Sequence, residues 1–66
     1  MTVGERITKL RLEKNLTQKQ LAEKIGYSEK LIAKWEADKT KFNIRAIIAL
    51  TDFFDVTSDY LLGMRN

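Results

Sequence analysis

The lack of any covalent or metal cross-link is the strongest constraint on this chain of 66 residues. A domain of that size buries only about 60% of the surface that its unfolded chain exposes, so small domains commonly rely on disulfides or a structural metal ion. Because the sequence contains neither cysteine nor histidine, disulfides and the ordinary zinc sites are excluded. Stability must therefore come from helix packing, or partly from association with a second copy.

Charge is distributed unevenly along the chain. Residues 1–45 hold eleven lysines and arginines against six acidic residues, which gives +5, whereas residues 46–66 hold one arginine against three aspartates, which gives −2. A basic front half is typical of a surface that faces a polyanion such as nucleic acid. An ordinary solvated surface would produce the same asymmetry, so charge alone does not assign a function.

Capping residues and glycines divide the sequence, which has no proline, into five predicted helices. The first runs from about Val3 to Lys14, because Val3, Ile7 and Leu10 recur at the spacing of one helix face. Asn15 suits the left-handed conformation that ends a helix.

The second and third predicted helices are separated by about three residues. Thr17 begins the second, since Gln20 stands three residues later and completes a capping box. Gly26 ends it, and Ser28 begins the third. The buried stripe of the second helix comprises Leu21, Ala22 and Ile25. Two helices joined by so short a turn around a glycine form a helix-turn-helix candidate.

The apolar positions support that pairing. Ala22 is small where the third helix should cross the second. Ile32 and Trp35 lie three residues apart and point back into the angle between the two helices. Trp35 is therefore predicted to be a core residue.

Two further helices complete the chain. Asn43 caps the fourth, and Thr57 caps a short fifth helix that Gly63 ends. The fourth helix is expected to direct inward Ile44, Ile47, Ile48, Leu50 and Phe54. The fifth carries Tyr60, Leu61 and Leu62.

Residues 16–36, LTQKQLAEKIGYSEKLIAKWE, closely resemble the core motif of the phage repressor and Cro family, also called the xenobiotic-response-element helix-turn-helix family. The matching positions are Leu16, Thr17, Gln18, Leu21, Ala22, Gly26, Ser28, Ile32, Trp35 and Glu36. The likeness continues through DVTSDYLLG and covers essentially all 66 residues. It implies an all-α fold, the five-helix lambda-repressor-like DNA-binding domain, with residues 1–66 as one domain and the helix-turn-helix core at residues 17–36.

The resemblance also implies sequence-specific binding of double-stranded DNA by a transcriptional regulator, a repressor, whose third helix (residues 28–36) enters the major groove. The candidates for base readout lie on the side of that helix away from its buried residues: Ser28, Glu29, Lys30, Ala33 and Lys34. Lysine can donate to guanine, glutamate can accept from cytosine, and alanine can contact a thymine methyl group. The alternative is that the charged members form a solvated helix face.

Contacts to the DNA backbone are expected at the start of the second helix and after the third. Gln18 matches the family position that hydrogen-bonds a phosphate, where backbone N–H groups and the helix dipole also favour an anion. The candidate phosphate contacts are Thr17, Gln18, Lys19, Lys39, Lys41 and Asn43. The alternative for Gln18 is a surface residue of the capping region, and isolated surface lysines are common.

Arg11 and Glu36 are expected to form a structural ion pair. The resemblance pairs an arginine of the first helix with the glutamate that ends the third. Removing one partner of such a pair would strand a buried charge, so its expected role is structural and not base readout.

Four positions depart from the family pattern. Asp38 and Asp55 stand where glycine usually follows a helix, and aspartate is among the few other residues that tolerate the left-handed conformation. Phe42 replaces a frequent proline. Leu31 occupies a position that is more often polar, where it could pack inside, contact a thymine methyl group or sugar, or belong to a partner surface.

A homodimer on a palindromic operator is the expected assembly, because one short recognition helix reads only a few base pairs and a second copy about 34 Å away adds specificity. The resemblance places the dimer surface at the C-terminal end. The candidate contacts are Phe53, Tyr60, Leu61 and Met64. The alternative is that these residues close the core of the single chain.

A protein-interaction module, such as an antitoxin-like partner that keeps the fold with weak DNA binding, is the alternative function. It predicts DNA association that salt hardly changes. An enzyme is set aside because the sequence has no histidine, no cysteine and no glycine loop for phosphate. No catalytic residue, metal, cofactor or small-molecule effector is expected within this domain.

No membrane partner is expected either. The N-terminal sequence MTVGERITKL lacks the apolar core of a signal peptide. The longest apolar run, AIIAL, is far shorter than the about 20 residues of a membrane span. The sequence therefore predicts a cytoplasmic protein.

Overall fold

The computed structural model describes residues 1–64, which form five α-helices and no strand. The helices are α1 (Val3–Glu13), α2 (Gln18–Ile25), α3 (Glu29–Glu36), α4 (Ile44–Phe54) and α5 (Ser58–Leu62). Helix α3 packs against α1 and α2, while α4 contacts α2 and α5, and α5 returns to α1. The predicted all-α fold of five helices is confirmed.

Side-chain caps begin the helices where the sequence predicted them. Thr17 and Gln20 form the expected capping box of α2, and Thr2 and Glu5 form a second one at the start of α1. Each capping oxygen accepts a hydrogen bond from a backbone N–H that the helix leaves without an acceptor. The other N-caps are Ser28, Asn43 and Thr57.

Left-handed residues follow the helices. The residues with positive φ are Asn15, Gly26, Asp38, Asp55 and Gly63, as predicted. Asp38 has a second role, because its carboxylate accepts hydrogen bonds from the Thr2 hydroxyl at 2.6 Å and from the Gly4 N–H at 2.9 Å. The aspartate that replaces a family glycine therefore ties the turn after α3 to the start of α1.

All five helices contribute to one core. Its buried apolar residues are Ile7, Leu10, Leu21, Ala22, Ile32, Trp35, Ala46, Leu50, Phe54 and Leu61. Trp35 is 2% exposed, and its ring centroid lies 5.0 Å from that of Tyr27 and 5.7 Å from that of Phe42. Phe42, in place of a frequent proline, therefore covers the core tryptophan.

Helix α4 presents a different face from the one predicted. Ile44 and Ile48 were expected inside but are 68% and 51% exposed, whereas Ala46 is fully buried beside Leu50 and Phe54. Apolar residues occupy nearly the whole circumference of this helix, so periodicity could not choose its inner side. The three buried residues recur every four positions, which is the spacing of one helix face.

Gly4 allows α1 to lie against the end of α3. A Cβ atom on Gly4 would lie 2.5 Å from the carbonyl oxygen of Trp35 and would also collide with the carbonyl of Glu36. Both obstacles are backbone atoms, which cannot rotate away as a side chain can. The close approach of these two helices therefore requires a residue without a side chain at position 4.

A buried carboxylate joins α1, α2 and α3. Arg11 Nε donates to Glu36 Oε2 at 2.6 Å and Arg11 Nη2 to Oε1 at 3.0 Å, which gives the two-point pairing typical of arginine and carboxylate. The Thr8 hydroxyl and the Gln18 amide also donate to Oε1, at 2.9 and 3.0 Å. The side chains of Arg11 and Glu36 are only 11% and 7% exposed, so the pair singled out in the sequence is largely removed from water.

The surroundings of Glu36 favour its charged form. Burial raises the pKa of the carboxyl, but the hydrogen bonds from Arg11, Gln18 and Thr8, together with the positive charge of Arg11, hold the pKa below its ordinary value. The glutamate is therefore charged at neutral pH, and its charge stabilises the folded chain.

Substitution Gly4→Ala is expected to lower the free energy of unfolding by roughly 1–3 kcal/mol, because α1 has to move away from α3. At an unobstructed helix position the same change is stabilising by about 0.5–1 kcal/mol. Urea denaturation followed by circular dichroism measures the effect. The exposed neighbour Lys9→Ala in the same helix is the control, with an expected change within about 0.5 kcal/mol. A Gly4→Ala chain as stable as the original would show that the helices do not approach this closely.

Substitution Glu36→Gln is expected to lower the free energy of unfolding at neutral pH, by up to roughly 3–5 kcal/mol, because Arg11 keeps a buried charge without its counterion. Since folding lowers the pKa of Glu36, its contribution is complete above the unfolded value near 4.5 and is lost as the pH falls through the folded pKa. The difference between the two chains should therefore shrink in acid. Urea titrations at several pH values test this, with the exposed Glu13→Gln as control. A constant difference across pH would contradict the assignment.

Candidate nucleic-acid interface

The pairing of α2 with α3 decides which side of α3 faces outward. Gly26 ends α2 in the left-handed conformation (φ 79°), and Ser28 already caps α3. Ile32 is fully buried and Trp35 nearly so, against α2 and the rest of the core. Since an α-helix repeats every 3.6 residues, the opposite side of α3 is left uncovered.

The predicted base-reading residues of α3 lie on that uncovered side, except Ser28, which is exposed as the N-cap at the start of the helix. We call the whole set the outer face of α3: Ser28, Glu29, Lys30, Ala33 and Lys34. All are exposed except Ala33, which is half-buried. Lys30 and Lys34 stand one turn apart, and within residues 1–64 neither forms an ion pair. The Ser28 oxygen accepts from the Leu31 N–H at 3.1 Å, which leaves the hydroxyl hydrogen available to another acceptor. The outer face therefore offers hydrogen-bond donors, one carboxylate and a small apolar group.

Leu31 stands at the border of this face. It is half-buried and packs against the core cluster. The sequence left three roles open for Leu31: packing inside, contact with a thymine methyl group or sugar, and a partner surface. The structure shows that part of the side chain packs inside.

The amide of Gln18 is fixed at the N-terminus of α2. Its Nε2 atom donates to Glu36 Oε1 at 3.0 Å, and the side chain is half-buried. Within residues 1–64, the second hydrogen on Nε2 and the amide oxygen have no hydrogen-bond partner. Thr17 is engaged in the capping box, while Lys19 is exposed beside it. The first N–H groups of α2 and two polar side chains are thus gathered at one helix end, where the dipole favours an anion.

The remaining predicted phosphate contacts lie between α3 and α4. Lys39 and Lys41 are exposed, and the Lys39 N–H donates to the Lys34 carbonyl at 2.9 Å, which fixes the turn. Asn43 accepts from the Ala46 N–H at 2.8 Å as the N-cap of α4, and its amide group remains exposed. In the sequence, these residues come after α3, the helix that carries the outer face.

The predicted dimer contacts do not form one free surface. Leu61 is fully buried in the core of the single chain, so its assignment to a dimer interface is wrong. Phe53 is half-buried and lies under the Lys14 ammonium, 5.6 Å from its ring centroid. Tyr60 is 39% exposed, with the Arg6 guanidinium 5.1 Å from its ring centroid. Among the four, only Met64, 69% exposed, is largely uncovered.

Sequence reasoning missed the polar neighbours of the ion pair. Thr8 lies three residues before Arg11, and Gly4 lies four before Thr8, so all three share the side of α1 that meets α3. A small residue followed at that spacing by a polar one and an arginine is the signal that could have identified this contact. The apolar periodicity that orients α1 does not include these three residues.

An open groove lies near the junction of α4 and α5. It has a volume of about 640 Å³ and is lined by Leu10, Glu13, Phe54, Asp55, Val56, Thr57 and Tyr60. Among residues 1–64 we find no cluster of acidic residues that could hold a metal ion. No helix in the described part of the chain is long and apolar enough to span a membrane.

Comparison with known proteins finds relatives that are named as an activator of transcription or as a repressor. The chain is 44% identical over 63 residues to the HTH-type transcriptional activator BcrR of Enterococcus faecalis, which covers 96% of this chain and 31% of that protein. It is 35% identical over 63 residues to the immunity repressor protein of Bacillus phage phi105, which covers 96% of this chain and 44% of the relative. The chain therefore spans less than half the length of these two proteins.

A solved structure has the same arrangement of helices. The P22 c2 repressor, determined in complex with synthetic operator 9T, superposes with a TM-score of 0.88 at 32% identity, over 94% of both chains. The family model described as Helix-turn-helix matches residues 7–61, which is most of the sequence. These matches agree with the resemblance carried by residues 16–36, and the chain belongs to the helix-turn-helix family of the phage repressor and Cro type.

Proposed function

We propose that this chain binds double-stranded DNA sequence-specifically as a transcriptional regulator, with the outer face of α3 in the major groove. The observation that carries the proposal is the division of α3 into two sides. Ile32 and Trp35 are buried, while Lys30 and Lys34 project outward without ion-pair partners among the described residues. A helix with one side anchored and the other offering donors and acceptors suits the width of the groove.

The outer face supplies chemistry for distinct bases. Lys30 and Lys34 donate to guanine O6 and N7, Glu29 accepts from cytosine N4, and Ala33 contacts a thymine methyl group. The Ser28 hydroxyl can pair with several base edges. These roles require that the helix be held in register, which contacts to the DNA backbone provide.

The N-terminus of α2 and the segment after α3 supply those backbone contacts. We assign a phosphate to the Gln18 amide and to the N–H groups beside it, with Thr17 and Lys19 at the same helix end. Lys39, Lys41 and Asn43 would contact the phosphates on the other side of the groove. The hydrogen bond from Gln18 to Glu36 supports this arrangement, since it holds the start of α2 at a fixed distance from the end of α3.

The named relatives support regulation of transcription. One is called an activator and one an immunity repressor, while the P22 c2 repressor was solved with operator DNA. We propose repression, because occupation of an operator is enough to exclude other proteins from it. Such a regulator acts in the cytoplasm, because bacterial DNA and the DNA of a phage inside its host lie there. It needs no enzymatic activity.

We further propose that residues 1–66 act as one DNA-binding unit and that two copies bind a palindromic operator. The single core shared by all five helices supports one unit. One recognition helix of eight residues contacts few base pairs. A second copy about 34 Å away on the same side of the duplex would supply the missing specificity.

Replacing Lys30 or Lys34 by alanine is expected to change the preferred base at one position of the half-site, at a cost of roughly 1–3 kcal/mol there. Selection from random duplex DNA, followed by sequencing, measures this for each variant. Lys9→Ala removes the same charge from the exposed side of α1 and should leave the preference unchanged. If the unaltered chain bound no duplex DNA at low ionic strength, the protein-interaction module would become the better assignment.

Replacing Lys41 by alanine is expected to weaken binding to all duplexes equally and to lower the slope of log affinity against log salt by about 0.9. Gln18→Ala should also weaken binding uniformly but should leave the slope unchanged, because the amide carries no charge. Fluorescence anisotropy across a potassium chloride series separates the two. A sequence-dependent loss in either variant would mean that the residue contacts a base and not a phosphate.

A further inference from the structure

The outer side of α4 carries apolar residues that the rest of residues 1–64 leaves half or more exposed. We define this side as Ile44, Arg45, Ile48 and Asp52, which fall within about a third of the helix circumference at 100° per residue. Ile44 and Ile48 are 68% and 51% exposed, and Arg45 and Asp52 are exposed beside them. The opposite side of the helix is buried in the core, so α4 carries apolar residues on both sides. A surface helix ordinarily has a polar outer side, which indicates that this one has a partner.

The charges on this side are placed against the helix dipole. Arg45 lies in the first turn of α4, where the dipole favours an anion, and Asp52 lies near its end, where the dipole favours a cation. Within residues 1–64 neither side chain forms an ion pair. The isolated chain therefore leaves both charges in unfavourable positions.

An antiparallel copy of the same helix would correct both placements. Arg45 and Asp52 are seven residues apart, about 10 Å along the axis, with Ile48 close to the midpoint. When two such helices pack antiparallel across a two-fold axis, each arginine meets the partner's Asp52 and lies at the negative end of the partner helix. Such an interface is complementary to itself, as two-fold symmetry requires.

We infer that a second copy of this chain packs its α4 antiparallel on this side, with Ile48 at the centre and Arg45 of each copy paired with the partner's Asp52. The inference deepens the proposed function and rests on its homodimer, although the contact itself does not require DNA. Phe53 and Tyr60, the sequence-based alternatives, are already occupied by Lys14 and Arg6 of their own chain. A contact built on one helix of eleven residues is small, so the dimer should be weak and should dissociate on dilution.

Charge reversal tests this pairing without DNA. We expect the 66-residue chain to show concentration-dependent association in sedimentation equilibrium. Arg45→Asp and Asp52→Arg should each weaken that association by more than roughly tenfold, because like charges then face each other. An equimolar mixture of the two variants should associate again, since every facing pair is then opposite in sign. The chain carrying both changes should also recover.

Control variants distinguish this pairing from a loss of folding and from a dimer contact elsewhere on the chain. All these positions are exposed, and circular dichroism should show unchanged helix content in each variant. Lys9→Asp reverses a charge on the exposed side of α1 and should leave association intact. A chain that carries both Tyr60→Ser and Met64→Ser should also associate normally. Loss of association in that variant alone would assign the dimer contact to the C-terminal end and overturn the inference.

Two further outcomes would overturn it. One is a chain that sediments as a 7.7 kDa monomer at every concentration. The other is normal self-association of both single variants, which would mean that Arg45 and Asp52 do not face each other. Because DNA binding is measured separately by anisotropy, a monomer that still binds duplex DNA would refute this interface and leave the proposed DNA binding in place.

Discussion

The position of the first three helices depends on one buried carboxylate. Glu36, the last residue of α3, accepts hydrogen bonds from Arg11 and Thr8 of α1 and from Gln18 of α2. Apolar packing is non-directional and would tolerate small rotations of these helices, whereas hydrogen bonds converging on one group impose a geometry. The pairing also makes the charge tolerable, since a buried carboxylate without partners would destabilise the fold.

The same contact connects the core to the surface that faces DNA in our proposal. Gln18 uses one amide hydrogen to bind Glu36 and keeps the other available at the start of α2. The outer face of α3 is set by Ile32 and Trp35, which are held in the core. In that proposal, the phosphate-binding groups of α2 and the base-reading groups of α3 stand on helices that the core holds together before any ligand arrives, and such preorganisation reduces the ordering required on binding.

Small and polar residues outside the apolar pattern complete this arrangement. Gly4 lets the start of α1 reach the backbone at the end of α3, and Asp38, two residues beyond that end, accepts a hydrogen bond from the Gly4 N–H. The carboxylate of Asp38 bonds both a hydroxyl and a backbone N–H of the first turn, so a residue that merely tolerates its backbone conformation also joins two helices. Among residues 1–64, no side-chain hydrogen bond joins α4 to another helix, and its outer side exposes Ile44 and Ile48.

Local signals in the sequence were sufficient for the helices and their ends, because capping boxes and left-handed stops act over three or four residues, as at Thr17 and Gly26. They also identified the exposed side of α3, while the resemblance to a known family supplied the partner of Arg11. Only the tertiary structure shows that Ile48 faces outward while Ala46 is buried, that Leu61 lies in the core, and that Gly4 meets the end of α3. Those outcomes depend on contacts between residues far apart in the chain, and no local periodicity encodes them.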